Sequence, residues 1–189
     1  MGVSECFQKS DDQSLLCAII IRGDLVVDGC SFDTSTLHGD DATRRIISLY
    51  TNFKRNDVNI IMISGSIISL YNVVDVEKIN EVTNVATICL ASKSGKNLEN
   101  IIKEKYSTNK KKIDLYKKIG KPQKIKLKNN SELFIRSAGI EKKYVKQILD
   151  KFTIAGSVPE PIRLSKLFAR SLYLGTRKKN IYSDVNTVI

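Results

Sequence analysis

Hydrophobic positions along this chain fall into short runs of two periods. Leu15-Leu16-Cys17-Ala18-Ile19-Ile20-Ile21 is an unbroken apolar run inside Ser14–Arg22, the length of a strand. Gly23-Asp24 follows as a tight-turn signal, so a hairpin into a second strand, Leu25–Ser35, is expected. In that strand Val27, Cys30 and Phe32 are the candidate inward residues, with the register open near Gly29. Val3–Phe7 reads as the end of an earlier strand, and Gln8–Gln13 as a polar turn. The period then changes. Ile46, Leu49, Tyr50 and Phe53 follow helical spacing, and Asp40 or Asp41 stands where a cap belongs, ahead of Ala42. Val58–Ile63 is short and almost wholly apolar, which predicts a central strand covered on both faces.

Beyond it, Asp75 opens a helix through Thr83, and Val85–Ala91 is another buried strand. Helices are predicted near 97–105 and 109–119. Pro122–Leu127 and Glu132–Ser137 form a hairpin around Asn129-Asn130, and Glu141–Lys151 and Glu160–Leu174 are the last two helices. Residues 175–189 have little apolar pattern and are expected to form a flexible tail. Hairpins join the first three strands, which makes them antiparallel. Helical crossovers join the next ones, which makes those parallel. The prediction is one α/β domain over 1–174, a mixed sheet with helices on both faces plus a C-terminal hairpin and helices. That is the element order of the ribonuclease H-like fold.

Composition narrows the function. With 189 residues the chain has room for one domain, and 42% hydrophobic with 27% charged residues is a globular balance. The apolar runs are far short of the roughly 20 residues a membrane helix needs, and Met1–Glu5 does not resemble a signal peptide, so a cytoplasmic protein without a membrane partner is expected. His38 is the only histidine, which excludes HExxH zinc chemistry and any site with several histidine ligands. Cys6, Cys17, Cys30 and Cys89 form no CxxC pair, and Cys17 and Cys89 lie in strand-like runs, where a thiol acts as a small hydrophobe.

The net charge of +11 is unevenly spread. Residues 1–92 carry 7 basic and 12 acidic side chains, 93–128 carry 13 lysines against 3 acids, and 129–189 carry 11 basic against 5 acidic. The basic half from about 93 onward is the kind of field that attracts phosphate backbones. Lysine-rich compositional drift would also produce it, since the 93–128 block has no arginine.

Three places can bring carboxylates together at one rim of such a sheet: Glu5 at a strand end, Asp40-Asp41 at a helix start, and the turn Ile63-Ser64-Gly65-Ser66. Acids there can hold Mg²⁺ or Mn²⁺, hard ions that favour oxygen, and such an ion can orient water against a phosphate. The plainer alternatives are that Glu5 is solvated and that Asp40, Asp41 and Asp75 cap helices. The two serines supply no negative charge. His38 is a candidate base or phosphate contact, or a surface residue. Tyr71 and Asn72 follow a strand end, where a base can stack on Tyr71 or the loop simply packs. Pro159-Glu160-Pro161 sets a stiff helix entry. Arg163 and Arg170, two turns apart, are candidate phosphate contacts or members of ion pairs.

Five short motifs, in order across residues 2–172, resemble an archaeal family related to endonuclease V, some members of which are called endonuclease dU. They are Gly2-Val3-Ser4-Glu5-Cys6-Phe7, Leu25-Val26-Val27-Asp28-Gly29, Gly39-Asp40-Asp41-Ala42-Thr43, Tyr71-Asn72-Val73-Val74-Asp75 and Ser157-Val158-Pro159-Glu160-Pro161-Ile162-Arg163. The resemblance implies a ribonuclease H-like fold and a metal-dependent endonuclease of DNA repair, acting on DNA with a deaminated base, uracil or hypoxanthine. Glu5, Asp40 and Asp41 would then be its catalytic and Mg²⁺- or Mn²⁺-holding residues, and His38, Tyr71, Asn72, Arg163 and Arg170 its nucleic-acid contacts. Many members have Gly-Ile-Asp-Asp at the first motif and Leu-Asp-Gly after the central strand. Here Glu5 takes the first place, and Ile63-Ser64-Gly65 lacks the Asp. Either the metal site is weakened, or Asp75 or a substrate phosphate completes it, or this branch no longer cuts. The readings from other classes are a nucleic-acid-binding module without catalysis and a protein-interaction subunit. Relatives carry several residues before the first motif, so an earlier start is expected.

Overall fold

The computed structural model describes residues 1–91, 102, 104–107 and 109–185, the last eight of these as backbone. Its main feature is a seven-stranded mixed sheet of order β3-β2-β1-β4-β7-β9-β8. The strands are β1 (Gly2–Cys6), β2 (Gln13–Ile21), β3 (Val27–Thr36), β4 (Ile60–Ile63), β7 (Ala86–Ala91), β8 (Gln123–Lys126) and β9 (Glu132–Ala138). A small hairpin of β5 (Ile67–Ile68) and β6 (Asn72–Val73) stands apart from it. As the connections require, β1, β2 and β3 pair antiparallel, while β1, β4 and β7 run parallel. The C-terminal hairpin extends the same sheet, β9 lying antiparallel to β7.

Alternation along the strands sorts the core onto two faces. Leu16, Ala18, Ile61, Ile63 and Cys89 pack with Ile46 and Leu49 of α1 (Ala42–Asn52) and Ile79 of α2 (Val76–Thr83). Cys17, Ile19 and Ile21 pack with Ala169 of α5 (Glu160–Val185), and Ile88 and Ile135 with Val145 and Leu149 of α4 (Lys142–Phe152). Helix α3 (Lys110–Lys118) is capped by Asn109, whose side chain accepts from the Lys112 N–H. The predicted helix at 97–105 lies largely outside the described residues. Among the described residues no helix is long and apolar enough to cross a membrane.

Several expectations change. The β2–β3 connection is not a two-residue turn at Gly23-Asp24. It runs from Arg22 to Val26, with Leu25 left-handed, and a register shift follows between Ile20 and Ile21. Val27, Cys30 and Phe32 are exposed rather than inward, because β3 is the sheet's outer strand. Helix α5 passes Leu174 and continues to Val185, so the backbone of 175–185 is helical. The entry to α5 explains one motif pair: a Cβ on Gly2 would fall 2.2 Å from the Pro161 carbonyl oxygen, so only glycine lets β1 meet this helix so closely.

Candidate functional site

The rim where β1 and β4 end carries a two-lobed groove. The first lobe, about 400 Å³, is lined by Glu5, Ser64, Ser66, Tyr71, Tyr116 and Arg136, with Phe7, Leu70 and Pro122 adding apolar wall. The second, about 490 Å³, shares Glu5, Phe7, Ser64 and Gly65 and adds Cys6, Lys166 and Arg170. Lys166 and Arg170 are one turn apart on α5, and neither makes an ion pair among the described residues. The Cys6 thiol is pushed up by burial and pulled down by Arg170.

Arg136 forms the opposite wall. Its Nε and Nη2 donate to the Gly120 carbonyl, Nε also to that of Ile119, and Nη1 to Ser66 Oγ at 2.5 Å. Burial pulls its pKa below the usual guanidinium value. This residue was missed in the sequence. The signal was available: it is the only arginine between Arg55 and Arg163, in a stretch where lysine serves every other cation.

Glu5 faces the groove, yet its carboxylate is engaged. It accepts from Ser14 Oγ at 2.6 Å, from the Ser69 N–H at 2.9 Å and from Ser69 Oγ at 2.9 Å. Asp41 lies deeper. It accepts from Asn72 Nδ2 at 2.8 Å, Ser35 Oγ at 3.1 Å, the Thr36 N–H and hydroxyl at 3.2 Å, and Arg45 Nε at 3.2 Å. Burial acts to raise the Asp41 carboxyl, but the bonds from Asn72, Arg45, Ser35 and Thr36 together hold it below the usual carboxylate range. Asp41 occupies the cap position of α1 without capping it; Asn72 Oδ1 accepts the Ala42 N–H at 3.1 Å instead. Asp75, by contrast, does cap α2.

Asp40 has partners that neither Glu5 nor Asp41 shares. It is exposed, accepts from Asn109 Nδ2 at 2.9 Å, and lies 3.2 Å from Lys112 Nζ. Lys112 is fully buried; its ammonium donates to the His38 and Gly39 carbonyls at 2.7 and 2.9 Å and stands 4.2 Å from the centre of the Tyr106 ring. As one of thirteen lysines in a lysine-rich block, Lys112 gave no sign in the sequence of being the buried one.

The other predicted residues divide. His38 bonds Tyr106 through Nδ1 at 2.6 Å, and its ring lies 6.0 Å from that of Tyr71. Tyr71 lines the first lobe, and Lys105 Nζ lies 5.4 Å from its ring centre. Arg170 lines the second lobe. Arg163 instead forms a two-pronged ion pair with Glu160 at 2.6–2.9 Å. Asn72 has no exposed surface, and its amide is fully engaged with Ala42, Ser35, Thr36 and Asp41, so it is structural rather than a nucleic-acid contact.

The expected metal centre therefore fits this donor set poorly. A divalent ion needs free carboxylate lone pairs. Those of Asp41 are taken by hydroxyls, amides and a guanidinium, most of those of Glu5 are taken by two hydroxyls and an amide, and Asp40 lies beside an ammonium. Ser64 stands at the strand end without a charge. Among the described residues no group of three His, Cys, Asp or Glu side chains is placed to hold a metal ion.

A family model described as Endonuclease dU matches residues 1–173. The UPF0215 protein of Pyrobaculum calidifontis is 28% identical over 182 residues, covering 95% of this chain and 100% of that protein. The UPF0215 protein of Thermoplasma volcanium is 30% identical, covering 91% of this chain and 88% of that protein. Among solved structures, a protein of unknown function from Archaeoglobus fulgidus matches with a TM-score of 0.71 at 18% identity, covering 90% of this chain and 95% of that one. Ciona intestinalis endonuclease V, solved with a 24mer DNA containing an inosine followed by a ribo-adenosine, matches with a TM-score of 0.61 at 13% identity, covering 93% and 85%. At such identities the likeness is one of fold: the mixed sheet with helices on both faces is the ribonuclease H-like architecture.

Proposed function

Because the chain belongs to the endonuclease dU family, we propose that it binds DNA carrying a deaminated base, uracil or hypoxanthine, along the rim groove. The observation that carries this reading is the groove's composition. Lys166 and Arg170 line one lobe without ion-pair partners among the described residues, and Tyr71 and Tyr116 line the other. Phosphates lie against the two cations, where a +11 chain concentrates a polyanion. A base enters the first lobe, whose volume suits a small aromatic ligand and whose rings offer stacking faces. Ser64 and Ser66 are polar groups on the wall that its edge meets.

A rival reading is metal-dependent phosphodiester hydrolysis, with Glu5, Asp40 and Asp41 as the catalytic residues. The position of Glu5 in the wall of both lobes favours it. The engaged lone pairs of Asp41 weigh against it.

The test is one oligonucleotide, with and without uracil or hypoxanthine, titrated at several salt concentrations. Affinity is expected to fall linearly on a log–log plot, with the slope reduced by about 1 in Lys166→Ala and again in Arg170→Ala. Absence of binding at low salt would overturn the reading. Nicking in Mg²⁺ or Mn²⁺ that Asp41→Asn abolishes would establish the rival in its place.

A further inference from the structure

The turn that carries Tyr71 is strained. Ser69, Leu70 and Tyr71 have φ of 46°, 50° and 72°, three successive non-glycine residues in the left-handed region, and His38, which bonds the Ser69 carbonyl, has φ 61°. Each such residue is disfavoured by its own Cβ, and a run of three persists only if the surroundings impose it. Both ends of the turn are in fact gripped. At its start, the buried Ser69 gives its N–H and its hydroxyl to Glu5, while its carbonyl accepts the His38 N–H at 2.8 Å. At its end, the buried Asn72 gives its amide to Asp41. The two carboxylates are joined underneath. Ser14 bonds Glu5, Ser35 bonds Asp41, and these two buried serines are cross-strand partners on β2 and β3.

We infer that Glu5 and Asp41 are positioning residues, a carboxylate clamp that holds the left-handed turn and sets Tyr71 on the wall of the groove. The donor inventory supports this role. An ionised carboxylate offers about four acceptor sites. Asp41 receives five donors, so an ion arriving there would have to displace existing bonds; Glu5 receives three, two of them from Ser69 of the turn itself. The clamp's effect on DNA affinity rests on the proposed function; the clamp itself does not.

Amide exchange of Ser69 in the free protein separates the readings, with the Ile79 N–H of α2 as an internal control for folding. Glu5→Ala is expected to speed Ser69 exchange by about tenfold or more, because the N–H loses its acceptor. Glu5→Gln keeps a carbonyl acceptor, and the hydroxyls of Ser14 and Ser69 can rotate to meet its amide, so it is expected to restore protection to within about threefold. Millimolar Mg²⁺ is expected to leave the wild-type rate unchanged. If Glu5→Ala does not fold, Glu5→Gln decides alone. Wild-type protection at Ser69 supports the clamp. Loss of protection in Glu5→Gln, unchanged exchange in a folded Glu5→Ala, or Mg²⁺ that alters Ser69 exchange in wild type but not in Glu5→Gln would each overturn it. A wild-type protein that shows the clamp but binds no oligonucleotide refutes the proposed function and not this inference.

Discussion

Asp40 and Asp41 are adjacent in the chain and belong to opposite kinds of corner. In the Asp41 corner the anion is the buried partner, its side chain 13% exposed, and most of its donors are neutral hydroxyls and amides. In the Asp40 corner the cation is buried. The Lys112 side chain is 1% exposed while Asp40 is 59% exposed, and the ammonium is satisfied mainly by two backbone carbonyls. Burying a charge is tolerable only when hydrogen bonds replace its water. The Lys112 corner meets that condition with the backbone carbonyls of His38 and Gly39, and the Asp41 corner with side chains of Ser35, Thr36, Arg45 and Asn72 and the Thr36 N–H, so each charge ties neighbouring segments together. The Asp41 corner fixes the turn below Tyr71, and the Lys112 corner ties α3 to His38–Asp40. The acids that resemble a metal site are thus engaged in holding the loops around the groove.

The contrast predicts an order of losses. Lys112→Met strips two carbonyls and one carboxylate of their partner and is expected to cost about 2–4 kcal/mol in urea unfolding. Asp40→Asn, on the exposed side of the same contact, is expected to cost about 1 kcal/mol or less. Equal losses would erase the distinction between the two members. Next in size is Asp41→Ala, expected at about 2 kcal/mol because buried donors lose their acceptor. Asn72→Ala should couple to it, the double variant losing clearly less than the two single losses added together; strict additivity would mean that the Asp41–Asn72 bond does not matter. The smallest effect is the acid limb. The folded Asp41 carboxyl lies below its ordinary value of 3.8, so its contribution is present above that pH and lost as pH falls through the folded value. Asp41→Asn should therefore flatten part of the stability decline below about pH 4, and an unaltered acid limb would refute the assignment.

Most of the element order was legible, and the reasons are local. The apolar run of β2, the helical spacing of Ile46 and Leu49, the Asp75 cap and the left-handed Asn130 in its hairpin are settled by residues within a few positions of one another. The exposure of Val27, Cys30 and Phe32 was not legible, because alternation says which face a side chain takes and not whether a helix reaches that far along the sheet. Nor could spacing reveal that a distant Asn72, rather than Asp40 or Asp41, would meet the first free N–H of α1.

The sequence by itself determined the order of antiparallel and parallel strands, the basic C-terminal half and the candidacy of Glu5, Asp40 and Asp41, since periodicity, charge and short motifs are written along the chain. Only the tertiary structure decided which partner each of those acids meets. Ser69 is 64 residues from Glu5, Asn72 is 31 from Asp41, and the Lys112 that pairs with Asp40 comes from the far side of β7. A carboxylate's role depends on the donors folded against it, and those donors are brought there by the packing of the whole sheet.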